Sequence, residues 1–322
     1  MMQKRPMRNS LAATQRHERL SGVIPALPTP LDAHEDVDLN ALRRLLDHCV
    51  GSGAAAIFLL GSMGEGPNLV NEQKRLAVRA AVRHLDHAVP LLANISETST
   101  RRTLELGRLI QDEQPDYLIS TGPFFYHYPN PDSQLEFFAR LAEELALPLI
   151  FYHQPGMTGN ACDVDTIDQI VNMPRVAALK DSSCNFGLIA VLLRRYPDRA
   201  TRPFSLLQGD ESLFDITLLL GADGVISGGG TAFIPLLLEL YRAASAGDRE
   251  RAYALNAQFR AALLEMLGPN LKVDWMAAVK DTLKQRDLCE NICTSPFVNR
   301  FRVLDGHGQT ALLRPAAAGR PG

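Results

Sequence analysis

The chemistry-bearing feature of this chain is a lysine at the end of an apolar run. Val176-Ala177-Ala178-Leu179 leads into Lys180, and Asp181-Ser182-Ser183 follows. The run predicts a buried parallel strand, and the polar residues predict the loop at its carboxyl end. Barrels and open α/β folds place their chemistry at that end. Burial disfavours an ammonium, so a half-desolvated amine there is free to attack a carbonyl. Of six lysines, Lys180 alone lies between Lys74 and Lys272. The other five fall in a tail or on charged, helix-like segments. The residue fits two other readings equally: a strand-end lysine that snorkels to solvent, and a structural ion-pair partner.

Other strand ends carry groups that a barrel would bring to the same mouth. Gly61-Ser62-Met63-Gly64 offers backbone N–H groups to an anion and a hydroxyl, Ser62, for a proton relay. An ordinary glycine turn reads the same way. Tyr152 ends the strand before Lys180, and a phenol beside a forming imine can donate and accept protons; it also fits a rim tyrosine. Pro123-Phe124-Phe125-Tyr126-His127-Tyr128-Pro129 is an aromatic loop suited to packing, substrate contact through Tyr126, or an intersubunit contact. Ile226 and Gly228 close the last strand. With Gly229 and Gly230, Gly228 offers either a phosphate cradle or a bare backbone beside a substrate. His84 and His87, three apart, read as a solvated helix face, and His127 and His153 as packing or substrate contact. No metal-ligand cluster is evident.

The elements that must position these groups alternate regularly. Strands are predicted at Gly22–Leu27, Ala54–Leu60, Pro90–Ile95, Asp116–Ser120, Pro148–Tyr152, Val176–Lys180, Phe204–Leu207 and Asp223–Ser227. Helices are predicted at Asp38–Val50, Asn71–Leu85 (with Asn71 as N-cap), Arg101–Gln111, Asp132–Leu145, Val164–Asn172, Asn185–Arg195, Ser212–Leu220 and Ala232–Ala246. Eight strand–helix units predict a (β/α)8 TIM barrel over an open sheet. Further helices near Arg249–Leu267 and Val273–Gln285 form a C-terminal helical appendage. The expected division is a flexible N-terminal tail at 1–20, the barrel at 21–246, the helical region at 247–305 and a flexible tail at 306–322.

The 322 residues are 46% hydrophobic and 21% charged, with a net charge of −3. That composition supports a sizeable core and gives no case for nucleic acid or an anionic membrane. No apolar run approaches a membrane span. Five cysteines, odd in number and without paired metal spacing, fit reduced thiols in the cytoplasm.

Together these residues resemble the dihydrodipicolinate synthase / N-acetylneuraminate lyase superfamily of Schiff-base aldolases, over roughly Gly22 to Phe297. Gly61-Ser62-Met63-Gly64-Glu65 is similar to its pyruvate-carboxylate loop. Tyr152-His153-Gln154-Pro155-Gly156-Met157-Thr158-Gly159 is similar to its Tyr-x-x-Pro-x-x-Thr-Gly segment, and Leu179-Lys180-Asp181-Ser182 to its lysine strand. The resemblance implies that Lys180 forms an imine with a 2-oxo acid such as pyruvate. It implies Tyr152 as proton shuttle, Ser62 in the relay, and the Ser62 and Met63 amides on the substrate carboxylate. It also implies a homotetramer built from dimers, with no metal or organic cofactor. Three departures stand out. Met63 replaces a second hydroxyl residue. Phe125 stands where many members have a tyrosine that crosses the dimer. Met157 stands where the dihydrodipicolinate synthase branch has an arginine for a substrate carboxylate.

The expected activity is therefore a class I lyase acting on pyruvate or related 2-oxo acids. Alternatives are a dehydratase of a deoxy-2-oxo sugar acid and a 4-hydroxy-tetrahydrodipicolinate synthase. Outside that chemistry stand a phosphate-ligand barrel and a non-catalytic 2-oxo acid binder.

Overall fold

A computed structural model describes residues 19–267 and 275–297, together with the backbone strands at 302–304 and 310–312. Eight parallel strands alternate with helices. They are β1 (Gly22–Pro25), β2 (Ile57–Leu59), β3 (Leu91–Asn94), β4 (Tyr117–Ser120), β5 (Leu149–His153), β6 (Val176–Asp181), β7 (Ser205–Gln208) and β8 (Gly224–Ser227). Each strand pairs with its sequence neighbour from β2 to β8, and β8 returns to β1. A parallel bridge between Ala26 and Phe58 brings β1 to β2 and nearly closes the ring. This is the expected (β/α)8 TIM barrel.

The surrounding helices are α1 (Leu39–Gly51), α2 (Asn71–Leu85), α3 (Thr100–Gln111), α4 (Pro131–Glu144), α5 (Pro155–Thr158), α6 (Val164–Val171), α7 (Phe186–Arg195), α8 (Phe214–Leu219) and α9 (Ile234–Ser245). Their apolar stripes pack on the strands in one contiguous core. Side chains start several of them. Asp38 accepts from the Asn40 and Ala41 amides at 2.9 and 3.0 Å, and Asp163 and Asn185 cap α6 and α7 likewise. Such caps contribute about 1 kcal/mol each. Asn71 is not a cap: Val70 takes the extended cap conformation and Asn71 is the first helical residue. The one-turn α5 lies in what reads from sequence as a plain loop. His87 is not on α2, which ends at Leu85; both Asp86 and His87 adopt positive φ.

Two helices follow the barrel, α10 (Arg249–Leu267) and α11 (Trp275–Lys284). Helix α10 packs on α8 and α9, with Phe259 stacked on Phe214 at 6.0 Å. Helix α11 reaches back to the mouth, where Lys280 is fully buried against Glu65. Val273 and Lys272 lie outside the described residues. Arg19 and Leu20, placed in the expected tail, are fastened: Arg19 Nε lies 2.7 Å from Asp223 and Leu20 is buried. Within the expected C-terminal tail, Thr310–Leu312 pairs antiparallel with Arg302–Leu304. No described helix is long and apolar enough to cross a membrane.

Candidate active site

Lys180 and Tyr152 are directly paired in register between β6 and β5. Both are buried. The Lys180 Nζ lies 3.9 Å from the centre of the Tyr152 ring and 4.8 Å from that of Phe58. Burial lowers the Lys180 pKa below the ordinary lysine value, although Tyr152 and Glu211 partly offset it. Burial alone would raise the Tyr152 phenol. The Lys180 charge and hydrogen bonding with Ser62, Ser182 and Lys180 outweigh that and lower it. A less basic amine beside a more acidic phenol is the pairing that nucleophilic attack and proton shuttling need.

The lysine stem passes close to the end of β7. A Cβ on Gly209 would sit 2.1 Å from Ser182 Oγ and 3.0 Å from both Lys180 Cε and the Asp181 carbonyl. Only glycine leaves that room. The loop after β2 is equally tight: a Cβ on Gly66 would meet the Leu60 carbonyl at 1.8 Å. Gly61 packs against the Phe58 ring, and Met63 is buried with its methyl near Gly228.

This loop is anchored through Glu65. Its carboxylate accepts from Lys280 Nζ at 2.5 Å and from the Thr294 amide and hydroxyl at 2.6 and 2.7 Å. Lys280 lies on a helix, as expected, but it is fully buried against Glu65. Lys74, on α2, is likewise buried, against Glu97 at 2.9 Å. In each case a partner distant in sequence supplies the compensating charge.

A cavity of about 230 Å3 adjoins Ser62 and Tyr152. Its remaining walls are Pro67, Asn94, Ser96, Thr121, Phe124, Gln154, Met157 and Thr158, none of them charged. Several polar groups there already have partners. Asn94 donates to the Leu60 carbonyl and accepts from Ser96, and Thr158 Oγ1 donates to the Gln154 carbonyl.

Ser62, Tyr152 and Lys180 thus come together, with Gly61 and Met63 in the same loop and Gly228 beside Met63. Ile226 is a buried residue of β8 paired with Ile24 of β1. Tyr126 is not among the cavity walls: it is exposed and packs edge-on against Phe125, which is 81% exposed and has a φ of 84°. Asn160, absent from the sequence reading, ties this loop down by donating to the Pro123 and Tyr126 carbonyls, both at 3.0 Å.

Glu211 is the main residue that sequence reasoning missed. Its carboxylate accepts from Ser227 Oγ at 2.5 Å and from the Gly229 amide at 3.0 Å. Burial raises its pKa, which those hydrogen bonds and the Lys180 charge only partly reverse. The signal was a Gly-Asp-Glu run at a strand end. The glycines after β8 are correspondingly occupied: the Gly230 amide donates to Ser227 Oγ at 2.7 Å. A carboxylate on the Gly229 amide works against a phosphate cradle there. His153 does not face the cavity but bonds Asp181. His127 bonds the Gly159 carbonyl. Among the described residues no cluster of metal-ligating side chains occurs.

The family model for the dihydrodipicolinate synthetase family matches residues 19–302. A 4-hydroxy-tetrahydrodipicolinate synthase from Oceanobacillus iheyensis is 32% identical over 205 residues, covering 64% of this chain and 68% of that protein. One from Nitrosomonas europaea is 29% identical, covering 82% and 91%. The structure of a dihydrodipicolinate synthase from Acinetobacter baumannii, complexed with pyruvate, superposes with a TM-score of 0.80 at 25% identity, covering 87% of this chain and 93% of that one. That of the Bacteroides thetaiotaomicron enzyme has a TM-score of 0.79 at 30% identity, covering 86% and 93%.

Proposed function

This chain belongs to the dihydrodipicolinate synthetase family and is a class I aldolase-type lyase; from that premise we propose that it condenses Lys180 with pyruvate or a related 2-oxo acid. The observation that carries this reading is the Lys180 amine on the face of the Tyr152 ring, with the amine less basic and the phenol more acidic than usual. The neutral amine attacks the keto carbon. The carbinolamine loses water, with Tyr152 passing the protons, and leaves an imine. Loss of a proton from the adjacent carbon gives an enamine, which attacks an aldehyde carbonyl; the reverse sequence cleaves a carbon–carbon bond and releases pyruvate. Ser62 relays protons to Tyr152, and the Ser62 and Met63 amides hold the carboxylate. Gly61 and Gly228 give the backbone its close approach, while Ile226 packs beneath the substrate.

The uncharged cavity wall, with Met157 55% exposed on it, favours an aldehyde partner without a carboxylate. That distinguishes this reading from the reaction for which the curated relatives are named. Loss of water from a deoxy-2-oxo sugar acid uses the same imine and is the second reading, favoured by the hydroxyl and amide groups of Ser96, Thr121 and Gln154 along the cavity. The exposed Phe125–Tyr126 pair supports assembly into a homotetramer, and five free thiols suit the cytoplasm.

Borohydride reduction with pyruvate, followed by peptide mass analysis, tests the imine. The expected result is an adduct on the Lys180 peptide that Lys180→Ala abolishes. Pyruvate release would then separate the aldolase from the dehydratase. No adduct on wild type would overturn both, and would leave a 2-oxo acid binder without covalent chemistry.

A further inference from the structure

The β5–β6 pairing contains an irregularity. Leu149 pairs with Val176, but Ile150 pairs with Ala178, so the register shifts by one residue before reaching the site. Beyond the shift, Tyr152 pairs with Lys180 and His153 with Asp181. Alternation along a strand sends each adjacent pair to opposite faces. Lys180 and Tyr152 therefore meet on the inner face, and His153 and Asp181 meet on the outer one.

His153 and Asp181 are 2% and 0% exposed, and His153 Nδ1 lies 2.7 Å from Asp181 Oδ1. The Cys162 amide donates to His153 Nε2 at 3.1 Å. Nε2 is thereby an acceptor, so Nδ1 carries the proton and donates it to the carboxylate. The other carboxylate oxygen accepts from the Ser183 amide and hydroxyl at 3.3 and 3.0 Å. One imidazole thus joins β5 to β6 and to the chain entering α6. The segment closed between His153 and Cys162 carries Gln154, Met157 and Thr158 of the cavity wall.

A slip of one residue between β5 and β6 would send either Lys180 or Tyr152 to the opposite face and separate them. Main-chain pairing alone has already permitted one such shift lower in these strands. We propose that His153 and Asp181 are a positioning pair, which locks the register that puts the Lys180 amine on the Tyr152 ring and fixes the cavity wall beside it. Neither residue touches the substrate. Its catalytic consequence rests on the imine reading above; its effect on the lysine does not.

Two substitutions separate the pair's two arms. His153→Asn keeps a donor near the Nδ1 position and loses the acceptor for Cys162. His153→Gln keeps an acceptor near Nε2 and loses the Asp181 bond. Borohydride trapping of the pyruvate imine is expected to run about 10²-fold slower in His153→Gln per folded molecule, with a much smaller change in the pyruvate concentration that gives half the maximal rate. His153→Asn and Asp181→Asn, which preserve the inter-strand bond, are expected to recover most of that rate. Folded fraction is measured by near-ultraviolet circular dichroism. In parallel, Lys180 is titrated by NMR after reductive 13C-methylation, and His153→Gln is expected to move its midpoint toward that of an ordinary lysine. If the Gln and Asn variants lose activity equally, and only in step with folded fraction, the proposal is overturned. An unmoved Lys180 titration in His153→Gln overturns it independently. Failure of wild type to trap pyruvate would instead defeat the imine reading, while the titration still decides the positioning role.

Discussion

The Lys180 amine and the Tyr152 ring are 3.9 Å apart because two neighbouring parallel strands pair at those two residues. A cation on a ring face is an attraction of about 0.5–2 kcal/mol. Here it also holds the proposed nucleophile and proton carrier together on the wall of one barrel.

Tyr152→Phe keeps the ring that seats the amine and removes the hydroxyl proposed to carry protons. The expected result is a kcat lower by about 10²–10⁴-fold, with a modest change in KM and a Lys180 adduct that still forms under borohydride. Steady-state kinetics and adduct mass check both halves; an unchanged kcat would remove Tyr152 from the chemistry.

Stability should rise with pH on the alkaline side. Lys180 titrates below its ordinary 10.5 when folded, so its penalty is complete below the folded pKa and vanishes as pH approaches 10.5. Tyr152 titrates below its ordinary 10.0, so its contribution is present above 10.0 and is lost as pH falls through the folded value. In both windows the unfolded chain binds more protons. Urea unfolding from about pH 7 to about pH 10 should show this rise in wild type relative to Lys180→Met/Tyr152→Phe. On the catalytic side, kcat/KM should fall as acid protonates Lys180.

Gly209→Ala places a methyl 2.1 Å from Ser182 Oγ and 3.0 Å from Lys180 Cε. The lysine stem or the β7 end must move. A displacement on the order of 1 Å costs about 10²-fold in rate, so kcat/KM should drop by that order. A variant with wild-type kinetics would show that the stem yields freely.

Lys280→Met leaves the Glu65 carboxylate buried without its cation. Breaking such a pair costs about 3–5 kcal/mol, whereas replacing both partners by apolar residues can be neutral. Urea midpoints should therefore fall for Lys280→Met and recover in Glu65→Leu/Lys280→Met. Activity should recover less, because Glu65 also binds Thr294 and so shapes the Ser62 loop.

Much of this architecture was legible before any coordinates. The eight strands read as apolar runs because both faces of a barrel strand are covered, and the helices read by their spacing. Lys180 stood out because it ends such a run and is the only lysine between Lys74 and Lys272, although a snorkelling or ion-paired lysine reads the same way. Element ends were the weaker part: Asn71 resembles a cap by type, but Val70 holds that position.

What the chain order could not supply were the partners. Lys74 and Lys280 read only as lysines of charged helices; their burial depends on Glu97 and Glu65, 23 and 215 residues away. Glu211 became part of the site only when β7 and β8 lay side by side, and the outward-facing His153 found Asp181 only when β5 paired with β6. Residue type and local spacing determine which groups can react and which segments are strands or helices. Which charge is neutralised, and which amine meets which phenol, depends on long-range register, and the free energy of burying a charge is decided by that neighbour.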